Sequence, residues 1–79
     1  MIIRNSKELG AVIRKTRLSK KLRQVELARK ASMRQALISD LENGTGSATL
    51  DTMLKILAAL DLDINIVSRK KAEFDPTEY

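Results

Sequence analysis

The sequence predicts a small all-α domain that carries one β-strand near its C-terminal end. The chain has 79 residues, which is enough for a single domain only. Apolar residues recur at helical spacing in four segments, whereas residues 62–68 alternate apolar and polar side chains with several β-branched residues. We therefore expect a domain over residues 1–69 and an acidic, flexible tail over residues 70–79.

The first two helices are predicted from their capping residues and apolar spacing. Asn5 followed by Glu8 is the pattern of an N-cap with a capping-box partner, and the helix behind it should end near Ser19. The second helix should cover residues 24–31. Its apolar face comprises Leu27, Ala28 and Ala31.

The third helix is expected from about Arg34 to Glu42, with Leu37, Ile38 and Leu41 facing inward. Residues 43–47 contain two glycines and read as a loop, in which Asn43 or Gly44 suits a left-handed helix end. Thr49 should cap the fourth helix, and a fifth is expected only as a turn near Asp61. The apolar stripe of the fourth helix consists of Leu50, Met53, Leu54, Leu57 and Leu60.

The net charge of +5 conceals a strong asymmetry between the two halves of the chain. Residues 1–34 carry eleven Lys and Arg against two acids, a balance of +9, whereas residues 35–79 carry four bases against eight acids, a balance of −4. Such a basic half suits a polyanion, because neutralised phosphates release their counterions. Charge alone does not distinguish nucleic acid from an anionic membrane surface or from a merely solvated helix face.

The composition argues against catalysis. The chain has no histidine and no cysteine, which removes the imidazole base, the thiolate nucleophile and the usual zinc ligands. No carboxylate pair, glycine-rich phosphate loop or nucleophile–base set is visible. We expect a cytoplasmic binding protein that is not an enzyme, has no cofactor or metal, and has no membrane-spanning or signal segment.

Residues 24–43 carry a motif with defined spacing. If Gln24 is the first position, Ala28 is the fifth, where a crossing helix leaves room for a small side chain only. Ser32 is the ninth, at the turn, and Ile38 the fifteenth, where the third helix packs back onto the second. This arrangement resembles the helix-turn-helix unit of the lambda-repressor-like (Xre) family. Two positions depart from that family: Ser32 replaces the usual turn glycine, and Arg23 replaces a capping Ser or Thr.

The resemblance implies that the third helix reads double-stranded DNA in the major groove. Leu37 and Asp40 have no assigned role, and Arg17 with Glu42 matches a buried ion pair of many relatives. The side chains expected to read bases are Arg34, Gln35, Ala36 and Ser39. The expected phosphate-backbone contacts are Lys20, Lys21, Arg23, Gln24, Asn43, Thr45 and Thr49.

Four features of the chain are its length, the N-terminal extension before the first helix, the helix over residues 49–57 and the single strand after the last helix. In these features the chain looks, within the family, most like HipB-type antitoxins. That resemblance implies a homodimer on an inverted-repeat operator, which represses its own operon and restrains a HipA-type kinase toxin. The strand would then pair across the dimer, although pairing with residues 1–3 of the same chain is an alternative. Phe74 and Tyr79 in the tail are tentative toxin contacts. The expected dimer interface comprises Leu57, Leu60, Ile64 and Ile66.

Two other functions remain open. A plain Xre-type transcriptional repressor would need no toxin partner, and the sequence contains no residue that separates it from an antitoxin. An acidic-tailed adaptor that binds only protein is a third reading, which the basic first half disfavours.

Overall fold

The structure, a computed structural model, describes residues 2–69 and contains four helices. They are α1 (Ser6–Ser19), α2 (Gln24–Lys30), α3 (Gln35–Glu42) and α4 (Leu50–Ala59). The predicted helical bundle is thus confirmed. The bounds of the first three helices differ from the prediction by at most one residue.

Side-chain caps begin two of the helices. Asn5 Oδ1 accepts a hydrogen bond from the Glu8 amide at 2.8 Å, and Thr49 Oγ1 accepts one from the Thr52 amide at 3.2 Å. Both predicted N-caps are therefore confirmed. The capping box is shifted by one residue, because the Glu8 carboxylate accepts from the Arg4 amide at 2.8 Å rather than from the Asn5 amide.

All four helices end in the same hydrogen-bonded turn, the Schellman motif. After α2, the Ser32 amide donates to the Arg29 carbonyl at 3.1 Å and the Met33 amide donates to the Ala28 carbonyl at 2.7 Å. Equivalent pairs of bonds follow α1, α3 and α4. The residue after each C-cap has a positive φ, which is 73° at Gly44 and 58° at Lys21, Ser32 and Asp61. Three of the four ends thus hold a non-glycine residue in the left-handed region, including Ser32 at the turn of the motif.

Replacing Ser32 by glycine should stabilise the protein by about 0.5–1 kcal/mol. The substitution removes the clash of Cβ with the backbone that a left-handed residue suffers, and part of the gain is offset by the greater entropy of glycine in the unfolded chain. Urea denaturation followed by circular dichroism measures the change. Ser32→Ala is the matched control, since alanine keeps the strain, and an equal gain in both variants would contradict the explanation.

The core is aliphatic and draws on all four helices. Leu37 is half-buried and packs against this core, while Ile38 and Leu41 on the same helix are inside it, as predicted. Leu57 and Leu60, expected at a dimer interface, are instead core residues of the single chain. The large apolar side chains of α4 that are exposed are Leu50 and Leu54, at 68% and 43% exposure. The buried apolar residues are Ile13, Leu27, Ala28, Ala31, Ile38, Leu41, Ile56, Leu57, Ala59 and Leu60.

Helix α1 approaches the end of α3 at Gly10. A Cβ built on Gly10 would overlap the carbonyl oxygen of Leu41 and lie 3.1 Å from that of Glu42. The two backbones therefore meet without an intervening side chain. This contact fixes α3, the candidate recognition helix, on α1.

The predicted strand is absent from residues 2–69, and so is its alternative pairing with the N-terminal residues. Residues 62–69 have neither helical nor strand structure. The strand prediction is wrong for the single chain, because a strand is stable only with a neighbour that satisfies its backbone groups and no described segment supplies one. With Ile2, Ile3 and parts of α1 and α4, most of this segment lines a groove of about 600 Å³, named here the terminal groove.

Candidate nucleic-acid interface

The N-terminal half of α3 presents a polar surface to solvent. Arg34, the N-cap residue, is exposed, as are Gln35 and Ala36, while Ser39 is half-buried. Ile38 and Leu41 lie on the opposite side and are buried. The four side chains predicted to read bases are thus reachable from outside, on a short helix whose inner face is anchored in the core.

Helix α2 supports α3 through its small residues. Ala28 and Ala31 are buried in the core between the helices, and Leu27 beside them is completely buried. A larger side chain at the buried Ala28 would have to displace a helix packed against α2, which is the physical reason for a small residue at the fifth position of the motif.

The last residue of α3 makes a buried ion pair with α1. Arg17 Nε lies 2.7 Å from Glu42 Oε2, a second guanidinium nitrogen lies 3.0 Å from Glu42 Oε1, and the two side chains are 8% and 1% exposed. The third guanidinium nitrogen donates to the Leu22 carbonyl at 2.7 Å. The hydrogen bond to Glu42 raises the pKa of Arg17 further above its ordinary value, so the guanidinium stays charged. The Arg17–Glu42 pair expected from the resemblance is present.

Gln24, the first residue of α2, joins this pair. Its amide nitrogen donates to Glu42 Oε1 at 3.2 Å, and the side chain is half-buried. The start of α2 is therefore tied to the end of α3. Among the predicted backbone contacts, Arg23 and Asn43 are the chain neighbours of Gln24 and Glu42, the two residues that this bond joins.

Arg23 is exposed and provides no side-chain cap for α2, as expected from its replacement of Ser or Thr. Glu26 compensates, since its Oε1 accepts from the Arg23 backbone amide at 2.8 Å and from Arg23 Nε at 3.2 Å. These two hydrogen bonds hold the pKa of Glu26 below its ordinary value, and the bond from the Arg23 backbone amide has the larger effect. Any stabilisation from Glu26 is therefore present above its ordinary pKa and is lost as the pH falls through the lowered one.

Lys20 and Lys21 occupy the turn between α1 and α2, and both are exposed. Lys20 Nζ pairs with Asp61 Oδ2 at 3.1 Å, and this hydrogen bond lowers the pKa of Asp61. Lys20 thus lies beside the end of α4 rather than against Glu42. The pair is solvent-exposed, and such pairs contribute little to stability.

The loop after α3 closes back on its own helix. The Asp40 carbonyl accepts from the Thr45 amide at 3.0 Å and from Thr45 Oγ1 at 3.3 Å, and Gly46 packs against the Asp40 Cβ. Asn43 and Thr45 are exposed. The hydroxyl of Thr49 is occupied at the start of α4, where it donates to Thr52 Oγ1 at 3.1 Å and caps the helix. A phosphate would compete with that arrangement.

The sequence did not indicate the third partner of the ion pair. The bond from Gln24 to Glu42 links residues 18 positions apart, and the spacing of the motif gives no sign of it. Phe74 and Tyr79, the tentative toxin contacts, lie outside the described residues. No helix within residues 2–69 is long and apolar enough to cross a membrane.

Comparison with known proteins places this geometry in context. The sequence profile of a family described as helix-turn-helix matches residues 13–67. The chain is 35% identical to the ImmF control region 10 kDa protein of Bacillus phage phi105 over 63 residues. These residues cover 80% of this chain and 70% of that protein. It is 42% identical over 55 residues to antitoxin HipB of Escherichia coli K12, covering 70% of this chain and 62% of HipB.

Solved structures agree with the sequence relatives. A chain of the HipA-HipB-O2-O3 complex superposes with a TM-score of 0.80 at 33% identity, covering 89% of this chain and 99% of that one. The restriction-modification controller protein C.AhdI of Aeromonas hydrophila gives a TM-score of 0.70 at 28% identity, covering 73% and 88%. These relatives are named as regulators and antitoxins rather than as enzymes. From its motif, its fold and its relatives, the chain belongs to the helix-turn-helix family of the lambda-repressor-like (Xre) type and is similar to HipB antitoxins.

Proposed function

We propose that the chain binds an inverted-repeat DNA operator as a homodimer, represses its own operon, and acts as the antitoxin of a HipA-type kinase. The observation that carries the DNA-binding part is the exposed surface at the start of α3, where the polar side chains of Arg34 and Gln35 lie beside the small side chain of Ala36. This surface is supported from behind by a buried core. The similarity to HipB supports this function, because one matched structure is a complex of HipB with an O4 20mer.

The charge distribution favours the same surface. Most cations of the chain lie in residues 1–34, which include the turn before α2 and the N-cap residue of α3. Lys21, Arg23 and Arg34 are all exposed there. Phosphate contacts from such cations give affinity that falls steeply with salt, while Gln35 and Arg34 on α3 have the hydrogen-bonding groups that distinguish base edges.

Replacing Gln35 by alanine should weaken operator binding by about 1–3 kcal/mol and relax the preference at one base position. A glutamine amide can pair with adenine through two hydrogen bonds, which alanine cannot make. Fluorescence anisotropy against the chain's own upstream DNA, with single-base variants of each half-site, measures both effects. Half-sites are expected about 10 base pairs apart, or a multiple of that.

Lys21→Ala is the matched control for this experiment. Loss of a phosphate contact should weaken all sequences alike and reduce the salt slope by about one unit. Unchanged base discrimination in Gln35→Ala would exclude α3 as the reading helix.

The dimer is supported by the terminal groove and by the apolar residues around it. Ile2, Ile64, Ile66 and Val67 are exposed, and Ile66 is 90% exposed in the single chain. Residues 62–68 alternate apolar and polar side chains, so two copies related by a two-fold axis could pair there as an antiparallel ribbon. That pairing would satisfy the backbone groups of both segments and cover the apolar side chains.

Replacing Ile66 by lysine should raise the dissociation constant of the dimer at least tenfold. The side chain is exposed in the single chain, so the fold itself should lose less than about 0.5 kcal/mol, whereas a buried charge at a ribbon would be costly. Sedimentation equilibrium measures the association. Leu18→Lys adds the same charge at another exposed apolar residue, one that does not line the terminal groove, and should associate normally. A monomeric wild-type chain that still binds operator tightly would contradict the dimer.

The antitoxin part is supported by the similarity to HipB, which in one matched structure accompanies HipA. A kinase-like reading frame beside the gene of this chain would favour this part, and co-expression of the chain with a HipA-type kinase, followed by affinity purification, tests it. Deletion of residues 72–79 asks whether Phe74 and Tyr79 contribute to capture. The second candidate is a plain repressor without a toxin, which the similarity to a phage control-region protein favours. Operator binding without kinase capture would select it.

A further inference from the structure

The carboxylate of Glu42 accepts hydrogen bonds from two residues, the charged Arg17 and the neutral Gln24. Arg17 neutralises it through two hydrogen bonds, from Nε at 2.7 Å to Oε2 and from a terminal nitrogen at 3.0 Å to Oε1. The same Oε1 also accepts from the Gln24 amide nitrogen at 3.2 Å. Arg17 alone neutralises the charge of Glu42. The hydrogen bond from Gln24 therefore does not alter the charge balance, and its effect is on the conformation of the Gln24 side chain.

The bond constrains Gln24 in two ways. A carboxylate only accepts hydrogen bonds, so the amide must turn its nitrogen, not its oxygen, toward Glu42. The bond also holds a side chain with three rotatable bonds in one conformation, whereas a free glutamine would have to be ordered when it binds a partner. One N–H of the amide is used by Glu42, and the other remains available on a half-buried side chain.

A phosphate oxygen is a suitable partner for that second N–H, since it too only accepts. The negative charge of Glu42 would ordinarily repel a phosphate. Here Arg17 neutralises that charge and the Glu42 side chain is only 1% exposed, so the repulsion between Glu42 and a phosphate is small. In this chain of hydrogen bonds, Arg17 and Gln24 would be the donors, and the Glu42 carboxylate and the phosphate would be the acceptors.

We propose that Glu42 is a positioning residue for DNA binding, which orders the Gln24 side chain in the free protein so that its second amide N–H meets a backbone phosphate. Glu42 itself touches no DNA. This inference rests on the proposed function, because it assigns a role within the same DNA-binding surface.

A double-mutant cycle on DNA affinity tests the proposal. Its two backgrounds are the wild type and Arg17→Met/Glu42→Leu, in which apolar side chains of similar size replace the whole ion pair. Gln24→Ala is made in each, and binding to a duplex of about 20 base pairs with unrelated sequence is measured at low salt, where phosphate contacts dominate. We expect Gln24→Ala to weaken binding about fivefold in the wild type and less than twofold in the other background.

The same factor in both backgrounds would overturn the proposal, because it would mean that Gln24 acts without Glu42. A Gln24→Ala variant that binds like the wild type would also overturn it. The operator measurements on Lys21→Ala and Gln35→Ala would still test the proposed DNA binding independently. If the wild type did not bind duplex DNA at all, both the proposed function and this inference would fail.

A second measurement does not depend on the folding of the double variant. NMR relaxation of the Gln24 side-chain amide in the wild-type protein without DNA should give an order parameter close to that of the rigid backbone, about 0.85. A value below about 0.6, typical of a freely moving group, would show that the side chain is not ordered in advance and would overturn the proposal.

Discussion

Replacing Arg17 by methionine should lower the free energy of unfolding by about 3–5 kcal/mol, which is a large part of the stability of a domain of this size. Methionine fills much of the same space but leaves the Glu42 carboxylate, 1% exposed, without its counterion. The Leu22 carbonyl loses its donor as well. Chemical denaturation followed by circular dichroism measures the loss.

The controls separate burial from charge. Lys20→Met and Arg23→Met also remove one partner of an ion pair, but those pairs are exposed and should cost less than about 1 kcal/mol each. Adding Glu42→Leu to Arg17→Met should restore much of the stability, because no unpaired charge then remains inside. A loss below about 1 kcal/mol for Arg17→Met would mean that water reaches Glu42 and that the pair is not buried.

Gly10→Ala should lower the free energy of unfolding by about 2–3 kcal/mol. Alanine in a helix is ordinarily more favourable than glycine by about 1 kcal/mol, so propensity alone predicts the opposite sign. The added methyl group would overlap the Leu41 carbonyl oxygen, which is backbone and cannot move without displacing α3. The same denaturation experiment decides between the two signs, and reduced DNA affinity is expected together with the loss.

Ala11 provides the matched position for this test. It is exposed on the same helix, next to Gly10 in the chain, and Ala11→Gly should cost about 1 kcal/mol through propensity alone. If Gly10→Ala were stabilising by a similar amount, α1 and α3 would not touch at this point.

The sequence predicted those features that depend on local or strictly spaced residues. The caps at Asn5 and Thr49 and the inward faces of the first three helices follow from neighbours within one or two turns. The Arg17–Glu42 pair was expected from the resemblance to the lambda-repressor-like family, not from any local pattern. The same resemblance marked Ser32 as the replacement of a turn glycine, and the structure holds it in the left-handed region.

The remaining features depend on contacts that no local pattern records. Leu57 and Leu60 belong to an apolar stripe that also includes Leu50 and Leu54, and periodicity alone does not tell which edge of so broad a stripe faces the core. The close approach at Gly10 and the bond from Gln24 to Glu42 join segments that are far apart in the chain. The segment over residues 62–68 has the alternation of a strand, yet alternation does not supply a neighbouring strand.

The four Schellman ends also bear on how fast the chain folds. Each of these helix ends is closed by hydrogen bonds between residues no more than five positions apart. The end of a helix, and the direction in which the chain leaves it, can therefore form before distant segments meet. Domains with mostly local contacts fold in microseconds to milliseconds. The slower events are those that join distant segments: the packing of α2 against α4 and the closure of α1 onto α3, where residues more than 20 positions apart meet at Gly10 and at Arg17. We therefore expect the rate of folding to be limited by the formation of these helix pairs.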